Sequence, residues 1–228
     1  ALERFLSEYP SPKPQKRQPN GRRVAVIGSG PAGLSCSHYL ALLGYQVNLF
    51  EERKDLGGML RFGIPKYRLP KDILNREIEE ILSLGIESIV GKRIGRDVSF
   101  DEINRDYDSI FIATGAWRSE RMGIPGEESQ GVIPALHFLK EVHRGRRPIL
   151  GRNVLVVGGG NTAFDAARTA LRMGAHVKVV YRRSREEMLA VREEIEEAVE
   201  EGIEILFLTS PVRIAMKDKK GMRVECIK

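Results

Sequence analysis

The sequence predicts an α/β protein in which one strand–helix–strand unit is used twice. Three observations carry this. Residues 21–53 lie over residues 151–183 without a gap, at an offset of 130, and nine of the 33 aligned positions are identical, among them Gly28/Gly158, Gly30/Gly160, Gly44/Gly174 and Val47/Val177. Identity sustained over a whole supersecondary unit marks an internal repeat. Each copy opens on a short apolar run, Val24–Ile27 and Val154–Val157, as a strand buried on both faces of a parallel sheet does. Each run meets a Gly-rich turn and then a stretch with small inward residues that stops at Gly44 or Gly174, the pattern of a helix closed by a C-terminal glycine.

The elements follow in order. Ala1 to Tyr9 form a short amphipathic stretch, and the Pro- and Lys/Arg-rich residues after it read as a linker, giving a first segment of 1–22 joined to something upstream. The first repeat starts a domain of residues 23–148. Between the repeats the pattern predicts a helix over 71–84, a strand over 108–113 and a helix over 134–144. The second repeat starts a domain of residues 149–228. It continues with a helix over 191–201 and strands over 203–208, 212–216 and 222–227, the last two joined through Lys217-Asp218-Lys219-Lys220-Gly221 as a hairpin.

Gly28-Ser29-Gly30-Pro31-Ala32-Gly33 is a G-x-G-x-x-G string set between a strand and a helix, the context that makes it a dinucleotide fingerprint. Gly28 allows the tight turn, Gly30 lets the backbone approach a pyrophosphate, and Gly33 lets helix and strand pack. The pyrophosphate then lies on the helix N-terminus, where unpaired N–H groups favour an anion. Glu51 stands at the end of the second strand. A carboxylate there accepts from ribose hydroxyls and repels a 2′-phosphate, so this site takes FAD or NAD rather than NADP.

The second copy, Gly158-Gly159-Gly160-Asn161-Thr162-Ala163, is the G-x-G-x-x-A variant. At the position of Glu51 it has Tyr181, followed by Arg182 and Arg183, with Arg185 close behind. Two guanidiniums can grip a 2′-phosphate, and Tyr181 could stack near the adenine, a pattern for NADP. Arg185 reads as part of the following helix start. Asp165 reads as a structural hydrogen-bonding residue. The chain is thus expected to hold two Rossmann-like dinucleotide-binding domains, of the FAD/NAD(P)-binding fold.

Composition narrows the rest. A content of 42% hydrophobic and 30% charged residues is that of a globular chain. No apolar run reaches the roughly 20 residues of a membrane helix, and the basic N-terminus lacks a signal-like apolar core, so the expected location is the cytoplasm. The net charge of +6 suits polyphosphate cofactors and an acidic redox partner. Basic residues do not alternate with aromatics, so no nucleic-acid surface is expected. Cys36 and Cys226 lie too far apart in sequence for a redox pair, and no metal-ligand spacing is present. No catalytic side chain and no metal are expected.

Two such folds joined through Ala113-Thr114-Gly115 resemble the two-dinucleotide flavoprotein reductases. The strings Gly57-Gly58-Met59-Leu60-Arg61-Phe62-Gly63-Ile64-Pro65, Arg68-Leu69-Pro70 and Val180-Tyr181-Arg182-Arg183-Ser184-Arg185-Glu186-Glu187-Met188 are similar to the small (beta) subunit of NADPH-dependent glutamate synthase. Related groups are the flavin–NADPH domains of dihydropyrimidine dehydrogenase and of NADH-dependent ferredoxin:NADP oxidoreductase. The resemblance covers roughly residues 20–228.

That resemblance implies a flavoprotein oxidoreductase with FAD and NADPH as cofactors. Hydride transfer between them would depend on distance and orientation alone. It implies an iron–sulfur or ferredoxin-type partner that takes the electrons onward, with a large amidotransferase subunit as one candidate and iron–sulfur clusters only outside these residues. The alternatives are a ferredoxin:NADP oxidoreductase or bifurcating transhydrogenase subunit, and a truncated non-catalytic electron-transfer module. By the same resemblance Gly57, Gly58 and Leu60 line the flavin, Arg68 reaches it, and Thr114 and Gly115 lie at the domain crossing. Gly159 to Thr162 hold the NADPH pyrophosphate. Two departures stand out: Leu189 replaces the family's Pro, and no Gly-Asp dipeptide occurs. Both domains are therefore expected to be incomplete at the C-terminal end.

Overall fold

The computed structural model describes residues 16–216 and 221–228. The expected amphipathic stretch, most of the expected linker and the expected turn at Lys217–Lys220 lie outside the described residues. The chain divides into two compact units, Ala1–Gly58 with Lys71–Gly115 and Met59–Pro70 with Ala116–Lys228.

The first unit is built on a four-stranded parallel sheet of β1 (Arg23–Ile27), β2 (Gln46–Glu51), β3 (Glu87–Val90) and β4 (Ser109–Ile112), in the order β3-β2-β1-β4. The helix α1 (Pro31–Leu42) crosses from β1 to β2. A short α2 (Gly58–Phe62) leads out of this unit, and α3 (Lys71–Leu82) packs on α1. On β1 the side chains from Val24 to Ile27 are all buried, because helices cover both faces of a parallel sheet. Ala25 and Phe50 pack with Ile103 of α4 (Phe100–Asp106). Ser99 and Glu102 close a capping box on α4: Glu102 N–H donates to Ser99 Oγ at 3.1 Å and Ser99 N–H to Glu102 Oε2 at 2.7 Å. The last residues of the expected linker are pinned to the end of α1, with Arg17 N–H on the Leu42 carbonyl (2.9 Å) and Asn20 N–H on Gly44 (3.0 Å).

In the second unit α5 (Ala135–His143) precedes a parallel sheet of β5 (Asn153–Val157), β6 (His176–Val180) and β7 (Glu204–Leu206), in the order β5-β6-β7. Between β5 and β6 runs α6 (Asn161–Arg172), and α7 (Arg192–Glu200) follows β6. Alanines 163, 166, 167 and 170 form the buried stripe of α6, at the spacing of one helical face. Their small side chains admit Phe164, Leu139, Val179 and Ala198 to one core. An antiparallel hairpin of β8 (Ser210–Met216) and β9 (Met222–Ile227) completes the unit. The hairpin strands and α7 match their sequence expectations within about two residues.

The duplication survives in the pairing. Arg23 stands opposite Gln46 and Val24 opposite Val47 in the first sheet; Asn153 stands opposite His176 and Val154 opposite Val177 in the second. Both copies thus hold the same register.

Candidate functional site: two glycine turns

At the end of β1 the chain turns at Gly28, whose φ is +106° and whose N–H donates to the Phe50 carbonyl at 2.8 Å. A Cβ on Gly28 would fall 2.3 Å from the Ala113 carbonyl oxygen, and one on Gly33 would fall 1.8 Å from the Gly28 oxygen. Both positions therefore need glycine for packing. Gly30 differs: a Cβ there meets nothing within 4 Å. It caps α1 with no side-chain hydrogen bond and no acidic residue in the first turn. The first-turn N–H groups of an α-helix lack intrahelical acceptors, so an open, uncapped terminus with exposed Pro31 and Ala32 beside it fits an anionic group.

Ser29 ties this turn to its surroundings. Its N–H and hydroxyl both donate to Glu51 Oε2, at 3.0 and 2.5 Å, and its Oγ accepts from Gly57 N–H at 3.1 Å. Glu51 is 8% exposed, and its Oε1 accepts from Arg53 N–H at 2.9 Å. A carboxylate has about four acceptor sites, so Oε1 keeps capacity for a ribose hydroxyl. Gly58 lies on the same turn, since its Cβ would fall 2.6 Å from the Gly30 Cα. Gly28, Gly30, Gly33, Glu51, Gly57, Gly58, Thr114 and Gly115 all belong to the first unit.

The second turn has the same backbone with other contents. Gly158 has φ +135° and donates to the Val180 carbonyl at 3.0 Å. Gly160 caps α6 without a side-chain bond or an acid, and a Cβ there would again meet nothing within 4 Å. At the position of Ser29 stands Gly159, because Tyr181 lies on it: a Cβ would fall 2.5 Å from the tyrosine ring. Tyr181 is 9% exposed, so little of its face is left for the adenine stacking expected from sequence. Its hydroxyl donates to the Glu187 carbonyl at 2.7 Å.

Arg182, Arg183 and Arg185 are exposed. Among the described residues none of the three forms a side-chain ion pair, whereas the nearby Arg168 and Arg172 are both paired. Arg185 does not begin a helix. It opens a turn closed by Met188 N–H on the Arg185 carbonyl at 3.2 Å, and α7 starts only at Arg192. The expectation failed because Glu186 and Glu187 look like a helical first turn, while Glu187 in fact accepts from Ser184 N–H at 3.1 Å.

Residues 22–227 match the family model described as pyridine nucleotide-disulphide oxidoreductase. The chain belongs to that family. It is 47% identical over 213 residues to the NADP(+)-dependent formate dehydrogenase subunit beta of Moorella thermoacetica, covering 92% of this chain and 30% of that protein. It is 43% identical to the NADPH-Fe(3+) oxidoreductase subunit beta of Geobacter sulfurreducens (95% and 33%), and 39% identical to the glutamate synthase [NADPH] small chain of Escherichia coli (85% and 44%). The chain thus spans between 30% and 44% of the length of these relatives. Mycobacterium tuberculosis FprA in complex with NADPH shares the fold, with a TM-score of 0.76 at 20% identity over 92% of this chain and 67% of that one.

Cys36 and Cys226 are both free thiols. Among the described residues no cluster of His, Cys, Asp and Glu is placed to hold a metal, and no helix is long and apolar enough to cross a membrane.

Arg68, expected to reach the flavin, is otherwise engaged. Its Nη1 lies 2.8 Å from Asp165 Oδ1 and its Nε 2.6 Å from Glu194 Oε1. Arg68 and Leu60 belong to the second unit. Asp165 therefore has the structural role expected of it, and burial pushes its carboxyl up while the Arg68 guanidinium partly counters this. Beside it Arg168, 3% exposed, is held by Glu194, Glu197 and Glu201, and Arg172 lies 4.0 Å from the centroid of the Tyr67 ring. Sequence reading missed this network. Its one signal was the acid-rich run Glu193 to Glu201 facing Arg168 and Arg172 at i, i+4 on α6.

Proposed function

We propose that this chain is the cofactor-binding part of an NADPH-dependent flavoprotein oxidoreductase, with FAD at the first glycine turn and NADPH at the second. On this reading residues 23–148 carry the FAD side and residues 149–228 the NADPH side. The observation that carries it is the inequality of the two turns. Ser29 and Glu51 present a carboxylate in the first; Gly159 and Tyr181, with Arg182 and Arg183 beyond them, present cations without partners among the described residues in the second. A carboxylate selects ribose hydroxyls, and paired guanidiniums select a 2′-phosphate.

The fit is supported by the open Gly30 and Gly160 positions and by the two uncapped helix starts. When bound, the nicotinamide and flavin groups supply hydride exchange. The chain's own residues bind and orient: Gly28, Gly30, Pro31, Ala32, Gly33, Gly57, Gly58 and Leu60 on the flavin side, with Thr114 and Gly115 following β4. Gly158, Gly159, Gly160, Asn161 and Thr162 hold the NADPH pyrophosphate, and Arg182, Arg183 and Arg185 its adenosine end. No side chain is assigned as acid, base or nucleophile.

The two separated free cysteines support an acceptor other than a disulfide of this chain. An iron–sulfur or ferredoxin-type partner fits, in a cytoplasmic complex. Glutamate synthase with its large amidotransferase subunit is one such assembly. The relatives of higher identity, named as beta subunits of a formate dehydrogenase and an NADPH-Fe(3+) oxidoreductase, favour a second reading in which the same module feeds another redox complex. The decisive experiment is reconstitution with FAD followed by NADPH under anaerobic conditions. Absorbance at about 450 nm should appear with FAD and bleach with NADPH faster than with NADH. A folded protein that takes up no FAD overturns the reading.

A further inference from the structure

The loop from Arg182 to Ala190 carries three exposed guanidiniums that form no side-chain ion pair among the described residues, yet it has no regular structure beyond one turn. Arginine side chains already lose much rotamer freedom on gripping a ligand, and a mobile backbone would add to that cost. The loop is instead closed at several points onto its own turn. Tyr181 donates through its hydroxyl to the Glu187 carbonyl at 2.7 Å, at the loop's centre. Ala190 N–H donates to the Gly159 carbonyl at 3.0 Å and Val191 N–H to Asn161 Oδ1 at 3.0 Å, at its far end. On the near side, Thr209 N–H donates to the Tyr181 carbonyl (3.0 Å) and Leu208 N–H to that of Arg183 (3.2 Å).

We infer that Tyr181 and Asn161 are positioning residues that latch the arginine loop over the second glycine turn, and so set preference for a nucleotide bearing a 2′-phosphate. This deepens the NADPH assignment and rests on it. In the first repeat the residue at the end of the second strand, Glu51, is itself the group read as selecting the ribose, and it is braced by Ser29. In the second repeat the corresponding residue has become a brace, and charge recognition has moved one and two positions along the chain. Gly159 is part of the same device: any side chain there would push the Tyr181 ring off the turn. Asn161 is part of it too, because its side-chain Oδ1 accepts from Val191 N–H.

The test uses the 228-residue chain and two adenine nucleotides, 2′,5′-ADP and 5′-ADP, titrated by calorimetry. Tyr181→Phe keeps the ring on Gly159 and removes only the hydroxyl. Its affinity for 2′,5′-ADP should fall by about fivefold, as for one lost hydrogen bond, while that for 5′-ADP stays put. Amide hydrogen exchange over residues 184–191 should quicken in the ligand-free variant, a readout independent of any nucleotide. An equal loss for both nucleotides, or no loss with unchanged exchange, overturns the latch. If the unaltered protein prefers neither nucleotide, the 2′-phosphate assignment itself fails and the latch falls with it. If it prefers 2′,5′-ADP and Tyr181→Phe retains that preference in full, only the latch fails.

Discussion

The Ser29 hydroxyl donates to Glu51 at 2.5 Å while accepting from Gly57 N–H at 3.1 Å, so one side chain braces the carboxylate and fastens the Gly57-Gly58 segment to the turn. Ser29→Ala removes both bonds at a buried position. Stability should fall by about 1–3 kcal/mol, read as a lower urea midpoint with an unchanged slope. An unaltered midpoint would show that Glu51 is held by backbone donors alone.

Gly30 and Gly33 separate binding from folding. A methyl at Gly33 would stand 1.8 Å from a backbone oxygen, whereas one at Gly30 meets nothing. Gly33→Ala should therefore lower the melting temperature sharply or prevent folding. Gly30→Ala should melt as the parent does but lose FAD, because its methyl fills the space a pyrophosphate approaches. Normal FAD content in a folded Gly30→Ala protein would refute that use of the space.

Arg182→Ala should weaken NADPH by about 1–3 kcal/mol, the worth of a charge-assisted contact, and leave NADH nearly unchanged in equilibrium titration. Equal weakening of both nucleotides would assign Arg182 to the pyrophosphate or to the fold.

Acid sensitivity should centre on α7. Hydrogen bonds from Arg168 and then Arg172 hold the Glu201 carboxyl down at about 2. Its unfolded value is about 4.3. The contribution is therefore fully present above that value and is lost as pH falls toward 2. Asp165 works in the opposite sense: burial raises it, so protonation at low pH favours the folded state and blunts the loss. Glu201→Gln should flatten the decline in melting temperature between about pH 4.5 and 2 while lowering stability at neutral pH. A variant with an unchanged acid profile would show that the carboxyl is not depressed.

Much of the scaffold was legible because it repeats. The strand–turn–helix pattern at 24–42 and 154–172 is local, and glycine spacing marks it without reference to any distant residue. Three elements escaped: α2, β3 and α4. The string Ser99-Phe100-Asp101-Glu102 held the signature of a capping box, but α4 is only seven residues long and buries one side chain, Ile103, so its periodicity was too short to read. The site divided in the same way. Glu51, Arg182 and Arg183 are found by counting from a glycine. Tyr181 on Gly159, and Arg68 on Asp165, depend on which surfaces meet after folding. For Arg68 the string suggests a flavin contact but gives no sign of Asp165, a partner 97 residues away.

That separation bears on how the protein is made. Met59–Pro70 belongs to the second unit, although residues of the first unit stand on either side of it in sequence. During synthesis Tyr67 and Arg68 leave the ribosome long before Asp165, Arg168, Arg172 and Glu194, the residues that hold them. The segment must therefore wait undocked while the first sheet forms, with a basic side chain and a tyrosine not yet packed. Vectorial folding from the N-terminus can complete β1 to β4 first, but the second unit can close only when α7 has emerged.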